Sequence, residues 1–355
     1  MNTALMTLAA AAQRAPSGDN TQPWRFIVDE AAGRIALQLD PARDPSPMNA
    51  GQRMARIACG AALENMVQTA AHHGWDLGCE PPTGGALAQV RLLGGDDHAA
   101  IIPPAVAARV TNRRLYDGRA IAPALQQALQ NATPAMYGVR TDWIADRRRL
   151  PALADLIGRA DAVMFGDGAM RRAFLANVCF DRPAAEPAPF GLSLGSLELS
   201  AVDRLALRSI RRLPDWAVRY GGCLRQFAAH GRRLAGSASG LCLGIASDRR
   251  PQTDVAVGRA MQRAWLALTE AGLAVQPMMS LLVLEGAHER HGCPTVLATL
   301  RQDMRALLPE IGVGRPAFLL RFGYAPPPSG RTGRLPRAAV TSVIPASPAA
   351  ALTTH

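Results

Sequence analysis

Two stretches of this 355-residue chain follow the same plan. "ACGAALENMVQTAAHHGW" (58–75) and "AVGRAMQRAWLALTEAGL" (256–273) each carry an early glycine, a polar pair near the middle and a closing glycine. Their small and apolar residues recur at helical spacing, and Gly74 and Gly272 stand where helix-ending glycines belong. Small residues let helices approach closely. The pattern therefore predicts two related halves whose long helices, 51–73 and 254–273, cross at a central interface. Two unrelated amphipathic helices remain the alternative on this pattern alone.

The remaining elements fall around these helices. A short helix over 3–14 ends before Pro16, and "WRFIVDEAAGRIALQLD" (24–40) reads as a hairpin. A strand follows at 88–94. From about residue 109 a similar plan returns with longer insertions. Helices are expected from Pro123, over 149–166, 169–177, 203–211 and 214–220, and strands at 138–144, 240–247 and in "AFLLRFGYA". The Pro- and Gly-rich stretch 182–200 reads as a long loop, of the kind that covers or binds. The Pro/Ser/Ala tail after about 340 reads as mobile.

Composition narrows the function. A hydrophobic fraction of 48% supports a sizeable core. No run of about 18 apolar residues is present, so neither a membrane span nor a membrane partner is expected. The opening "MNTALMTLAAAAQRAPS" lacks the basic lead of a secretory signal, and the six cysteines form no C-x-x-C pair; both favour a cytoplasmic protein. The net charge is +11, and every basic side chain is arginine. Without lysine there is no Schiff base and no P-loop. The arginines are scattered and aromatics are only 5%, which argues against nucleic acid and for a phosphate-bearing small ligand. No G-x-S-x-G elbow and no G-x-G-x-x-G fingerprint occurs. "HERHGC", with His288, His291 and Cys293, reads as a polar loop rather than a metal site, and His72 and His73 as a helix C-terminal cap.

The most specific string is "PSGDNTQPW" (16–24). Ser17, Gly18, Asp19 and Asn20 are turn formers that can present backbone N–H groups and amides to a planar polar ligand, while Trp24 and Phe26 anchor the next strand. The string resembles the P-S-x-x-N-x-Q-P-W segment of the nitroreductase superfamily of FMN-binding oxidoreductases. The two central helices, "RVTNRRLYDGRAI" (109–121) and "LLRFGYAPPPSGRTGRLPR" (319–337) are similar to further family segments. Here the basic segment follows the P-S-x-x-N segment instead of preceding it, an order that resembles the tandem, Acg-type branch.

The resemblance implies an α+β, nitroreductase-like fold with antiparallel or mixed sheets, in which one chain imitates a dimer. The halves would be 1–108 and 109–325, with a basic extension at 326–355. It implies one FMN site, for which a monomer suffices while a homodimer stays open. Arg109, Arg113 and Arg114, with Thr111 or Asn112, would hold the phosphate, and Arg331, Arg334 and Arg337 are second candidates. Pro16, Ser17 and Asn20 would face the ring, and backbone around Gln276 and Pro277 would tune it. Electrons would pass between NADH or NADPH and a small organic substrate, or from a biosynthetic intermediate to oxygen. FMN storage behind the 182–200 loop is the non-catalytic alternative.

Overall fold

The computed structural model describes residues 3–95, 101–183, 186–291 and 295–345, without the side chains of 287–295. In chain order the first elements are α1 (Thr3–Gln13), β1 (Trp24–Asp29), β2 (Arg34–Leu39), α2 (Arg53–His73), β3 (Asp76–Glu80) and β4 (Ala88–Gly94). Next come α3 (Pro104–Ala108), α4 (Pro123–Ala132), β5 (Val139–Ile144), α5 (Leu150–Gly166), α6 (Gly168–Ala176), β6 (Val178–Cys179) and β7 (Leu192–Ser193). Then follow α7 (Ala201–Ile210), α8 (Asp215–Tyr220), α9 (Cys223–Gly236), β8 (Gly240–Ala246), α10 (Pro251–Glu270) and β9 (Ala274–Pro277). The last are α11 (Ser280–His291), α12 (Thr295–Leu307), β10 (Arg315–Gly323) and β11 (Thr341–Ile344).

This is an α+β chain with two main sheets. The first has the order β11-β1-β2-β4-β3, antiparallel except that β11 lies parallel to β1. The second, β5-β8-β10-β9, is antiparallel throughout. Trp24, Phe26 and Val28 alternate inward along β1, so one face of that strand is buried. Every residue of β8 and β10 is buried, because the second sheet is covered on both faces. One core runs from Trp24 and Phe26 through Met66 and Trp265 to Phe318 and Phe322; another packs α5, α11 and α12 on the far face of the second sheet.

Helix α2 packs on the first sheet, α10 on the second, and the two cross. The crossing is reciprocal. A Cβ on Gly60 would lie 2.0 Å from the Val255 carbonyl oxygen, and one on Gly258 would lie 1.9 Å from that of Ile57. Only glycine allows this approach. The mid-helix polar residues join across it. Fully buried Glu64 accepts from Arg259 Nε at 2.9 Å and Arg263 Nε at 2.7 Å. Gln262 Nε2 donates to Asn65 Oδ1 at 2.7 Å.

Several expectations change. Within the stretch after about 340 that was expected to be mobile, Thr341–Ile344 form β11 and finish the first sheet; residues 346–355 lie outside the described residues. Helices α9, α11 and α12 and strands β3 and β9 carried no expectation of their own. The 182–200 stretch is not a bare loop. Leu192–Ser193 pair in parallel with Val178–Cys179, and Gly195–Leu197 form a 3-10 turn. Cys59, Cys79, Cys179, Cys223 and Cys242 are unpaired, and Cys293 lies outside the described residues, as do the side chains of His288 and His291.

Candidate functional site

The turn between α1 and β1 is held in an unusual backbone conformation. Asp19, Asn20 and Gln22 all have positive φ, at 45°, 59° and 52°. Hydrogen bonds from elsewhere offset that cost. Ser17 Oγ accepts from Gln22 N at 3.0 Å. Asn20 Nδ2 donates to Gly191 O at 3.1 Å and Gly333 O at 3.3 Å. Gln22 Nε2 donates to Pro189 O at 2.7 Å, and its Oε1 accepts from Leu335 N at 2.9 Å. The amides of this turn thus grip 188–191 and 333–335, two segments remote in sequence.

Against this turn lies a cavity of about 390 Å³. Five arginines line it, Arg14, Arg109, Arg113, Arg331 and Arg334, with one carboxyl, Asp19. Helix ends explain how so many guanidiniums gather. Arg334 donates to the Gln13, Arg14 and Ala15 carbonyls at the end of α1, and Arg331 to those of Ala107 and Ala108 at the end of α3. These are the carbonyls a helix leaves unpaired, at its negative end. Arg109 donates to Arg14 O at 2.8 Å and lies over the Trp265 ring, 4.8 Å from its centroid. Burial and then the neighbouring Arg334, Arg331 and Arg14 pull the Arg109 guanidinium far below its ordinary pKa. Burial, then Arg14, brings Arg334 down to about 10. The buried Nε of Arg109 has no hydrogen-bond partner.

A second cavity, about 350 Å³, opens on the other side of Pro16, Ser17, Asp19, Thr111, Arg113 and Leu192, which line both. Its walls are apolar. Phe165 stacks on Phe227 with centroids 4.2 Å apart and meets Phe174 edge-on at 5.2 Å. Trp265 of α10 and Gln276, Pro277 and Met278 line it as well. Trp265 is fully buried, and its Nε1 has no partner. The ionisable groups are mainly acidic: Asp19, Asp44 and Asp161, beside Arg113 and His230. Burial pushes Asp19 up to about 6, against an Asn177 hydrogen bond and the Arg113 charge. Burial and the nearby Asp19 raise Asp44 to about 6. Burial raises Asp161 to about 7, with the Ser280 hydroxyl opposing. Burial, then Arg233, lowers His230.

Of the residues singled out from sequence, Pro16, Ser17 and Arg113 line both cavities, Asn20, Arg109, Arg331 and Arg334 the first, and Gln276 and Pro277 the second. Arg114 lines neither; its Nε lies 3.3 Å from Glu198 Oε2. Gln276 Oε1 accepts from Arg321 Nε at 2.8 Å, and buried Arg321 also donates to Leu234 O and Arg114 O. Arg14, Asp161, His230 and Trp265 carried no expectation. Arg14 borders the conspicuous turn and was within reach of a sequence reading. Asp161 sits in an apolar helix with no local sign of its surroundings.

The 186–200 segment lies against these cavities, with Leu192 lining both, Ser196 the first and Leu197 and Leu199 the second. Gly333 N donates to Ala188 O at 2.9 Å, Arg113 to Ser196 O at 2.8 Å, and Arg114 pairs with Glu198. Among the described residues no three His, Cys, Asp or Glu side chains cluster to hold a metal, and no helix is long and apolar enough to cross a membrane.

The chain matches no protein-family model. It is 28% identical over 351 residues to Uncharacterized protein MT1398 of Mycobacterium tuberculosis (strain CDC 1551 / Oshkosh), an alignment covering 94% of this chain. The chain spans 47% of that relative's length. Among solved structures it is similar to the FMN-dependent nitroreductase NfnB from Mycobacterium smegmatis in complex with NADPH, with TM-score 0.39 and 15% identity, over 67% of this chain and 95% of that one. It is also similar to a nitroreductase with bound FMN from Bacteroides fragilis, with TM-score 0.33 and 16% identity, over 62% and 87%. A third likeness is to oxidized iodotyrosine deiodinase bound to FMN and 3-iodo-L-tyrosine, with TM-score 0.35 and 15% identity, over 69% and 97%.

Proposed function

We propose that the chain is an FMN-dependent oxidoreductase of nitroreductase type, with its two halves standing in for two subunits. The observation that carries this reading is the pairing of cavities: an arginine-lined chamber and an aromatic one that share Pro16 and Ser17 as wall residues. FMN has the matching chemistry, an anionic phosphate at one end and a flat amphipathic ring at the other. The orphaned donors fit as well. Arg109 Nε lacks an acceptor on the phosphate side, and Trp265 Nε1 lacks one on the ring side.

In this reading Arg14, Arg109, Arg331 and Arg334 hold the phosphate by charge-assisted hydrogen bonds. Pro16, Trp265 and Pro277 wall the ring, and Arg321 fixes Gln276 beneath it. Arg113 stands between the two ends, and Arg114 secures the cover through Glu198. Bound there, FMN would supply two-electron chemistry between NADH or NADPH and a small organic molecule. The tandem reading draws support from the reciprocal glycines of α2 and α10 and from β11, which reaches back to the first sheet. The site residues likewise come from both 1–108 and 109–325, with Arg331 and Arg334 from the extension. One chain then suffices for one site.

A second reading rests on the 186–200 segment: an FMN store whose cover excludes external substrates. Anaerobic mixing with excess NADPH or NADH separates the two. Fast bleaching of the flavin band supports the oxidoreductase; bleaching by dithionite alone supports storage; a colourless protein that takes up no FMN overturns both.

A further inference from the structure

Charge reverses inside this molecule. The chain is +11 overall, and its first cavity gathers five arginines. The second cavity opposes three carboxyls to one guanidinium and one imidazole. Two of those carboxyls have work in the fold. Asp19 accepts from Asn177 Nδ2 at 3.3 Å, and Asp44 accepts from Ser46 N at 3.4 Å and Thr21 Oγ1 at 3.5 Å.

Asp161 has the Ser280 hydroxyl beside it but, among the described residues, pairs with no cation, and it lines a wall of phenylalanines. Its place is made for it: a Cβ on Gly231 of α9 would lie 2.0 Å from Asp161 Oδ2. A carboxyl in apolar surroundings costs stability unless a partner arrives. Fully buried Trp265 Nε1, a donor without a partner, lines the same cavity.

We infer that the second cavity takes a substrate bearing a protonated amine on an aromatic or aliphatic body. The ammonium pairs with Asp161, and the body packs on Phe165, Phe174 and Phe227. Ring faces add attraction for the cation. Anionic ligands meet Asp19, Asp44 and Asp161 and are disfavoured. The inference deepens the proposed redox reading and rests on it.

The affinity should depend on pH with a definite sign. Asp161 must ionise to hold an ammonium, so amine binding strengthens as pH rises through about 7 and then levels. Arg113, His230, Asp19 and Asp44 share the cavity with it. Of the other described charges on its helix and the helices packed there, Arg159 pairs with Asp155 and Asp303, Arg232 with Asp155, and Glu285 lies beside Arg301, while Arg225 and Arg233 of α9 have no carboxylate partner and Arg233 acts on His230.

The test uses the purified full chain and calorimetric titration with phenethylamine, phenethyl alcohol and phenylpropionate. The amine should bind at least roughly tenfold tighter than the alcohol, the size of one hydrogen-bonded charge pair, and the acid weakest. Asp161→Asn should erase the amine's advantage and its pH slope while leaving alcohol binding unchanged. Equal affinities for amine and alcohol in the wild-type protein, or a preference for the acid, overturn the inference even if Asp161→Asn fails to fold. The flavin spectrum is read first. A yellow protein without amine preference sinks this inference alone; a colourless one that still prefers the amine sinks the cofactor alone.

Discussion

The two cavities meet at Pro16 and Ser17, yet they are built on opposite principles. The first collects cations and ties Arg109, Arg331 and Arg334 to helix-end carbonyls, with one carboxyl, Asp19, against five guanidiniums. The second collects carboxyls among phenylalanines and methionines and leaves them little to pair with. Carbonyls at the ends of α1 and α3 can hold guanidiniums without neutralising them. The first cavity is therefore ready for an anion at modest cost. The second has no such support, so its carboxyls shift toward the neutral form. One is a standing electrostatic trap; the other awaits a ligand to settle its charge.

Both cavities take residues from either side of the α2–α10 crossing, so the sharpest way to break the comparison is to pry those helices apart. Gly258→Val should cost about 3 kcal/mol or more, because the added carbons strike backbone. Thermal unfolding with flavin absorbance should show lower stability and loss of bound flavin together. Retained flavin with unchanged stability would mean that the crossing does not position the site.

Arg109→Ala tests chiefly the first cavity, with a smaller effect through the Trp265 ring it lies over. Losing a charged donor should weaken FMN by roughly 10- to 100-fold while leaving riboflavin, which has no phosphate, nearly unchanged. Equilibrium titration with both flavins reads the difference; equal losses would remove the phosphate from this cavity.

Asp161→Asn tests the second cavity through stability. The folded protein holds this carboxyl near pKa 7, above its unfolded value, so folding takes up a proton between about pH 4 and 7. Its ionisation then costs stability as pH rises across that window. The variant should gain of the order of 1–3 kcal/mol at pH 8 and nothing below pH 4, by denaturant unfolding. The smallest effect belongs to the cover. Glu198→Gln should change stability by under about 1 kcal/mol, since Arg114 is partly exposed, yet speed flavin exchange in stopped-flow displacement.

The contrast also marks what could be read from sequence. Arg109, Arg113, Arg114, Arg331 and Arg334 stood out as phosphate candidates only through the resemblance of their segments to family segments; the structure gathers all but Arg114 at one cavity. The two central helices were legible through their period and capping glycines, and the turn at 16–24 through its residue types. The targets of that turn were not: Asn20 and Gln22 grip 188–191 and 333–335, and no local pattern names a partner so far away. Asp161 was invisible for the same reason. Its helix reads as apolar, and the notch at Gly231 exists only once α9 is packed on α5. For β11 a signal was present, since Thr341, Val343 and Ile344 favour strands, but the surrounding Pro and Ala outweighed it.

The most direct measurement is the amount of FMN one chain takes up, by visible absorbance after saturation and desalting. The account expects one FMN per chain, retained through buffer exchange and lost in Arg109→Ala. Two per chain would contradict the single split site, and none would contradict the flavin assignment itself.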